Sequence, residues 1–239
     1  MTLYVYGIVG SPSFDAALSG HEEAGVFAVP CGDLAAAVSE LSRDVAPEPQ
    51  NVWRHEQVLE ALMQQHAVLP LRFGTHVARR DALCDALRRI RPALTRDLER
   101  LSGRVEFALR VTNVGANDNL VLAAGSKVDG AQSRRPGTGY LRARAELLRE
   151  RTVREAAARR IEAMLRQHLD PSAEDAVWEL AEGQAKTLTA SYLVERAHIS
   201  RFVDAIDHVR DRHLELDVTC TGPWAPYSFV TVRPGETWR

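Results

Sequence analysis

No run in this chain of 239 residues approaches the roughly 18 apolar side chains that a membrane-spanning helix needs. The opening stretch, MTLYVYGIVG, lacks a basic leader and a long apolar segment, so no signal-peptide pattern is present. An excess of charge of one sign is missing too. Thirty basic residues face 32 acidic ones, a net of -2, which removes the broad pull of a polyanion binder. Cysteine is scarce. Cys31, Cys84 and Cys220 form no Cys-x-x-Cys pair, and their odd number predicts small buried thiols rather than a disulfide framework. These absences predict a cytoplasmic chain without a membrane segment.

The signatures of catalysis and metal binding are also lacking. There is no HExxH and no GxSxG, and no loop has the spacing of a phosphate-binding P-loop or of GxGxxG. His55 and His66 fall near one helix face but about three turns apart, too far to share an ion. His208 and His213 miss the i, i+4 spacing of helical metal ligands. Arg134 to Gly139 runs into a helix start and offers free N–H groups, but no Lys-Ser/Thr partner accompanies it. The expectation is a non-enzyme with no catalytic, metal or cofactor-binding residues.

What is present is a foldable pattern. At 45% hydrophobic, the chain can bury a substantial core. Leu3 to Val9, Val26 to Val29 and Leu34 to Ser39 read as strands, with a short helical turn over 14–18 and a turn at Pro30 to Asp33. Asn51 is a candidate cap for a helix to about His66, on which Val52, His55, Val58, Leu59 and Leu62 recur. In Val68 to Thr75, Pro70 demotes the segment to an edge or bulged strand. A leucine stripe predicts a helical stretch from Asp81 to Leu101, kinked or divided at Pro92.

From Val105 to Val111 apolar residues alternate with Glu106, Ala108 and Arg110, as in a half-buried strand. Residues 113–139 read as a long loop, followed by a helix from Tyr140 to about Leu169. A strand pair over 177–180 and 188–194, a helix from Ile199 to about His213 and a strand from Leu214 to Thr221 complete the order. The order β-α-β-β-α-β therefore occurs twice. The predicted fold class is α+β, with two ferredoxin-like (split βαβ) modules in tandem joined by a helical stretch. The corresponding spans are 1–78, 79–103 and 104–239, the last ending in an aromatic, proline-rich tail.

Such a fold invites comparison with RNA-recognition modules, which stack bases on sheet aromatics, and Tyr4 and Tyr6 share a face of the first strand. The strand from Val105 lacks the basic-Gly-aromatic pattern of those modules, and the charge balance opposes nucleic acid. The long helix is arginine-rich, with Glu150–Arg154 and Glu155–Arg159 at attractive spacing worth about 0.2–0.5 kcal/mol each. Its face is solvated, a docking surface for an acidic protein, or a contact for nucleic acid.

The most distinctive segment is Thr221-Gly222-Pro223-Trp224-Ala225-Pro226-Tyr227-Ser228-Phe229-Val230. Its prolines stiffen the backbone and its aromatics bring large apolar area. It can fold back on its own domain or meet a partner. It resembles the TGPWPPYSFV signature of the GvpL/GvpF gas vesicle proteins, with Ala225 in place of a proline. Tyr4 to Ile8, Leu34 to Glu40, His55 to Glu60, Val68 to Thr75, Leu101 to Glu106 and Ala190 to Val194 resemble the same family, in the same order. The resemblance implies a non-catalytic, two-domain protein located at the gas vesicle. It implies binding to the shell protein GvpA, and to other accessory Gvp proteins, during nucleation or growth. The residues expected to meet such partners are Arg72, Phe73 and Thr75, then Arg151 and Arg154 on the long helix, then Trp224, Tyr227 and Phe229.

Overall fold

The computed structural model describes residues 2–14, 18–112, 138–180 and 187–232. The helical turn read over 14–18 and the loop read over 113–139 lie largely outside these residues. The fold is mixed α/β with two antiparallel sheets. The chain divides into two compact units, one of residues 1–107, 193–196 and 222–239, the other of 108–192 and 197–221.

The first unit is built on β1 (Thr2–Val9), β2 (Phe27–Cys31), β3 (Leu34–Leu41), β4 (Val68–Pro70) and β5 (His76–Val77). The order is β2-β3-β1-β4, with β5 also pairing β1. Pro70 sits on the edge strand, where its missing N–H breaks no ladder. β1 is covered on both faces. Leu3, Val5 and Ile8 enter one cluster, and Tyr4, Tyr6 and Val9 the other. Strict alternation would send Ile8 to the tyrosine side. A register shift between Val5 and Gly7 resets the count. Gly7 permits it, because a Cβ there would stand 2.8 Å from the Leu69 carbonyl oxygen.

Helix α1 (Pro49–Met63) closes the tyrosine side with Val58, Leu59 and Leu62. Its cap is Glu48 and not Asn51. Pro49 starts the helix, where a missing N–H is harmless, and the Asn51 side chain instead donates to the Ala46 carbonyl at 2.9 Å. Helix α2 (Arg80–Leu101) closes the other face with Leu83, Leu87, Leu94, Leu98 and Leu101. Of the two outcomes expected at Pro92, division into two helices does not occur. Pro92 lies on the exposed side, where the carbonyl it leaves unpaired can meet water, while the leucine stripe stays buried on both sides of it.

The cysteine expectation fails. Cys31, at the end of β2, and Cys84, in the second turn of α2, form a disulfide with Cα atoms 5.0 Å apart. The odd count leaves only Cys220 free. The pair is 53 residues apart, so topology rather than a local motif brings it together. Closing a loop of that length stabilises a fold by about 2–4 kcal/mol. Reduction with a phosphine should therefore lower the urea midpoint of the wild type, and leave the Cys31→Ser/Cys84→Ser variant unchanged.

The second unit draws on β6 (Arg104–Thr112), α3 (Thr138–Leu169), β7 (Asp175–Leu180), β8 (Leu188–Glu195), α4 (Ile199–Arg212) and β9 (Asp217–Trp224). Its sheet has the order β7-β8-β6-β9. β9 starts three residues later than the alternation predicted and runs through Pro223, which an edge position tolerates. Tyr192, fully buried, packs its ring against Trp178 at 5.6 Å and Phe202 at 5.2 Å. Ala157, Ala158, Leu165 and Leu169 of α3 and Ile206 and Val209 of α4 are buried in the same unit. Asp170-Pro171 ends α3, and the Ser172 hydroxyl donates to the Leu169 carbonyl left open there, at 2.8 Å.

Candidate functional site

Two features of the first unit carry all the residues singled out by the sequence except Arg151 and Arg154. The first is the loop after β4. The Leu71 carbonyl can only accept, so the His55 Nε2 at 3.0 Å carries the proton. His55 Nδ1 is then the acceptor for the Tyr4 hydroxyl at 2.8 Å. That hydroxyl in turn accepts from the Gly74 N–H at 3.2 Å. One buried tyrosine-histidine pair thus ties β1 and α1 to both ends of the 71–74 loop. The Thr75 hydroxyl closes the loop on the Arg72 carbonyl at 2.6 Å. Phe73 is half-buried, its ring 5.7 Å from that of His21 and 5.9 Å from that of His55. Arg72 is exposed at the tip. The result is a held loop that presents one guanidinium.

Burial depresses both histidines beneath this loop to about 4, helped at His21 by the nearby charges of Arg54 and His76. His21 is 2% exposed and neither ring nitrogen has a hydrogen-bond partner. Its ring lies against Tyr4 at 4.5 Å and stacks on Tyr6 at 5.6 Å. Gly20 makes room for this. A Cβ there would meet the Tyr6 hydroxyl at 2.1 Å. Tyr4 and Tyr6 are both 0% exposed, so they offer no face to a base, and the RNA-stacking alternative loses the aromatics on which it rested.

The second feature is the segment after β9. Gly222 has φ +133°, and a Cβ there would stand 2.8 Å from the Glu106 carbonyl oxygen, so glycine is required. The peptide bond from Gly222 to Pro223 is cis. The chain then folds back along the first unit. Ala225 is buried, and the Tyr227 hydroxyl donates to Glu56 Oε1 at 2.6 Å. The Ser228 N–H and hydroxyl donate to the two Glu106 oxygens at 2.8 and 2.7 Å. Phe229 is 4% exposed within the cluster under α2, and its carbonyl accepts from Arg100. The Thr231 N–H and hydroxyl both donate to Asp97 Oδ2 at 2.8 Å. Burial raises the Glu56 carboxyl, and burial together with the Glu56 charge raises the Tyr227 phenol.

Of the sequence-selected residues, Phe229 and Tyr227 are therefore turned inward. Trp224 is half-buried, edge-on to the Trp53 ring at 6.0 Å, and Trp53 is 56% exposed. On α3, Arg151 is exposed and pairs with Glu155 at 2.8 Å, so Glu155 turns back rather than forward to Arg159. Arg154 lies on the same helix, its side chain outside the described residues.

Sequence reading missed Trp53, Glu56, Asp97 and Glu106 as partners of the C-terminal segment. Alternation placed Glu106 on a solvent face, yet it is 6% exposed. Its donors come from a residue 122 positions away, which no local pattern reveals.

The family model described as gas vesicle synthesis protein GvpL/GvpF matches residues 2–231. Gas vesicle protein F of Streptomyces sp. (strain CB03234) is 31% identical, over 96% of this chain and 100% of the relative. Gas vesicle protein L of the same strain is 33% identical, over 74% of this chain and 68% of the relative. The crystal structure of GvpF from Microcystis aeruginosa superposes with a TM-score of 0.78 at 19% identity, covering 97% of this chain and 99% of that one.

Proposed function

This chain belongs to the GvpL/GvpF family of gas vesicle synthesis proteins, and on that premise we propose that it acts as a non-catalytic assembly or minor structural protein that binds the shell protein GvpA. Other accessory Gvp proteins are further partners in this reading, the gas vesicle is the site of action and the cytoplasm the place of synthesis. We read the two sheets as tandem ferredoxin-like modules over 1–78 and 104–239 with a connector over 79–103. The support is that both sheets place their strands in the same order, second-third-first-fourth.

The observation that carries the binding reading is the held loop at 71–75. A rigid loop loses little entropy on docking, so an exposed Arg72 beside a half-buried Phe73 is a low-cost anchor. Thr75 braces that loop, and Arg151 and Arg154 offer a second, charged contact. Trp224, paired with Trp53, supplies apolar area of the kind that dominates interfaces. Tyr227 and Phe229 act indirectly, by holding that tryptophan in place.

Capture of purified GvpA on the immobilised chain tests this. Arg72→Ala and Trp53→Ala, both at exposed positions, should each weaken capture by about five- to thirtyfold while the fold survives. Undiminished capture by both variants would remove these surfaces, and absence of capture by the wild type at micromolar concentration and low salt would remove direct binding. Deletion of the gene, scored for vesicle formation, tests the assembly role separately.

A further inference from the structure

We propose that Arg54, Arg72 and the Trp53–Trp224 pair of the first unit form a docking surface for an acidic peptide segment of a protein partner. The guanidiniums take its carboxylates and the indoles take an apolar side chain beside them. This inference deepens the binding reading given above, and rests on it in treating the 71–75 loop as a contact. One hydrogen bond sets the juxtaposition. His55 Nε2 donates to the Leu71 carbonyl at 3.0 Å, and Arg54 and Arg72 each stand one residue from that bond. His55 is fully buried while both arginines are exposed. The Arg54 charge acts on His21, whose ring lies 5.7 Å from that of Phe73, the residue after Arg72. Trp53 precedes Arg54 on α1, is 56% exposed and meets the Trp224 ring edge-on at 6.0 Å. The weld through His55 fixes both backbones, so docking orders little beyond two side chains.

Counter-charge is the second observation. Arg43, Arg79, Arg80, Arg88, Arg91 and Arg100 of this unit each pair with an aspartate or glutamate. Among the described residues, neither Arg54 nor Arg72 has a carboxylate within ion-pair distance. Glu56, the neighbour of His55, is half-buried and accepts from Tyr227 instead. A guanidinium offers a planar fork of donors that a carboxylate fills with two parallel bonds. Two such forks beside an exposed indole match a segment in which carboxylates flank an apolar residue. Tryptophan and arginine are also the side chains that dominate protein interfaces. A nucleic acid strand fits less well. Glu48 and Glu60, exposed on the same helix, repel a continuous line of phosphates but not a segment with a few carboxylates.

The test titrates the isotope-labelled full-length chain with the peptide acetyl-Glu-Glu-Leu-Leu-Glu-Glu-amide. It follows the tryptophan indole N–H signals, assigned through Trp53→Phe and Trp224→Phe. The Trp53 and Trp224 signals should shift with a Kd below about 1 mM, and the affinity should fall several-fold between about 50 and about 300 mM NaCl. The matching peptide with lysine in place of glutamate should shift neither signal. Arg54→Glu and Arg72→Glu should each weaken binding by about five- to tenfold with an unchanged urea midpoint. Arg89→Glu, at an exposed position on α2 over the other sheet face, should leave it unaltered. The proposal is overturned by the absence of shifts at about 5 mM peptide, by an equal response to the lysine peptide, by unaltered affinity in the Arg54→Glu/Arg72→Glu variant, or by tighter binding of single-stranded DNA at the same indoles. Peptide binding without capture of GvpA removes the GvpA reading and keeps this surface. Capture of GvpA that is insensitive to salt and to both charge reversals keeps that reading and removes this one.

Discussion

Phe229→Ala should destabilise the first unit by about 3–5 kcal/mol, read as a fall in the urea midpoint without a change in slope. The ring is 4% exposed and sits among Leu94, Leu98 and Leu101 of α2 and the strand residues beneath them, so its removal leaves a void that packed neighbours cannot fill. Against a usual folding stability of about 5–15 kcal/mol, this is a loss of about a fifth or more. Ser228→Ala acts by another route. It deletes one donor to Glu106, a carboxylate only 6% exposed, and so should cost about 1–3 kcal/mol despite removing little apolar surface. Ending the chain at Thr221 should do more than the sum of single changes. It removes at once the donors that the segment gives Glu106, Asp97 and half-buried Glu56, leaving Asp97 with its ion pair to Arg100 at 3.6 Å. The aromatic signature is thus first a clasp of the fold, and its effect on any partner runs through that clasp.

How much of this could be read from residues alone depends on the range of the interaction. β1, β3, α1 and α2 follow from periodicity, because their cores are set by neighbours one turn or one strand residue away. Pro70 marks an edge strand for a local reason, its missing N–H. The largest failures are distant pairings. Cys31 meets Cys84 across 53 residues, Tyr4 meets His55 across 51, and Glu106 meets Ser228 across 122. Pro92 misled for a related reason. A proline divides a helix when its surroundings do not hold both halves, and here one leucine stripe does. The block from Arg72 to Thr75 stood out as a motif, but the pins beneath it, Tyr4 and His55, became visible only when β1 and α1 were placed together.

Acidification should destabilise the first unit well before general acid denaturation. His21 and His55 titrate near 4 in the folded chain and near 6.5 when unfolded, because both are buried and the ring of His21 has no hydrogen-bond partner. Below pH 6.5 the unfolded chain takes up protons that the folded chain refuses, so stability falls as pH drops and the loss levels off near pH 4. Two such groups remove about 4 kcal/mol between pH 7 and pH 5. Glu56 works in the opposite sense. Its carboxyl is raised by burial, so protonating it on the way down relieves the folded state and trims the loss at the acid end. Urea midpoints measured from pH 7.5 to 4.5 at fixed ionic strength should therefore slope steeply between 6.5 and 5. His21→Phe should halve that slope, since it removes one titrating group and fits a site already lined by the Tyr4, Tyr6 and Phe73 rings. A flat profile in the wild type, or an unaltered slope in His21→Phe, would show that the histidines beneath the 71–75 loop are open to water. The held loop would then lose the dry support from which its role as an anchor was argued.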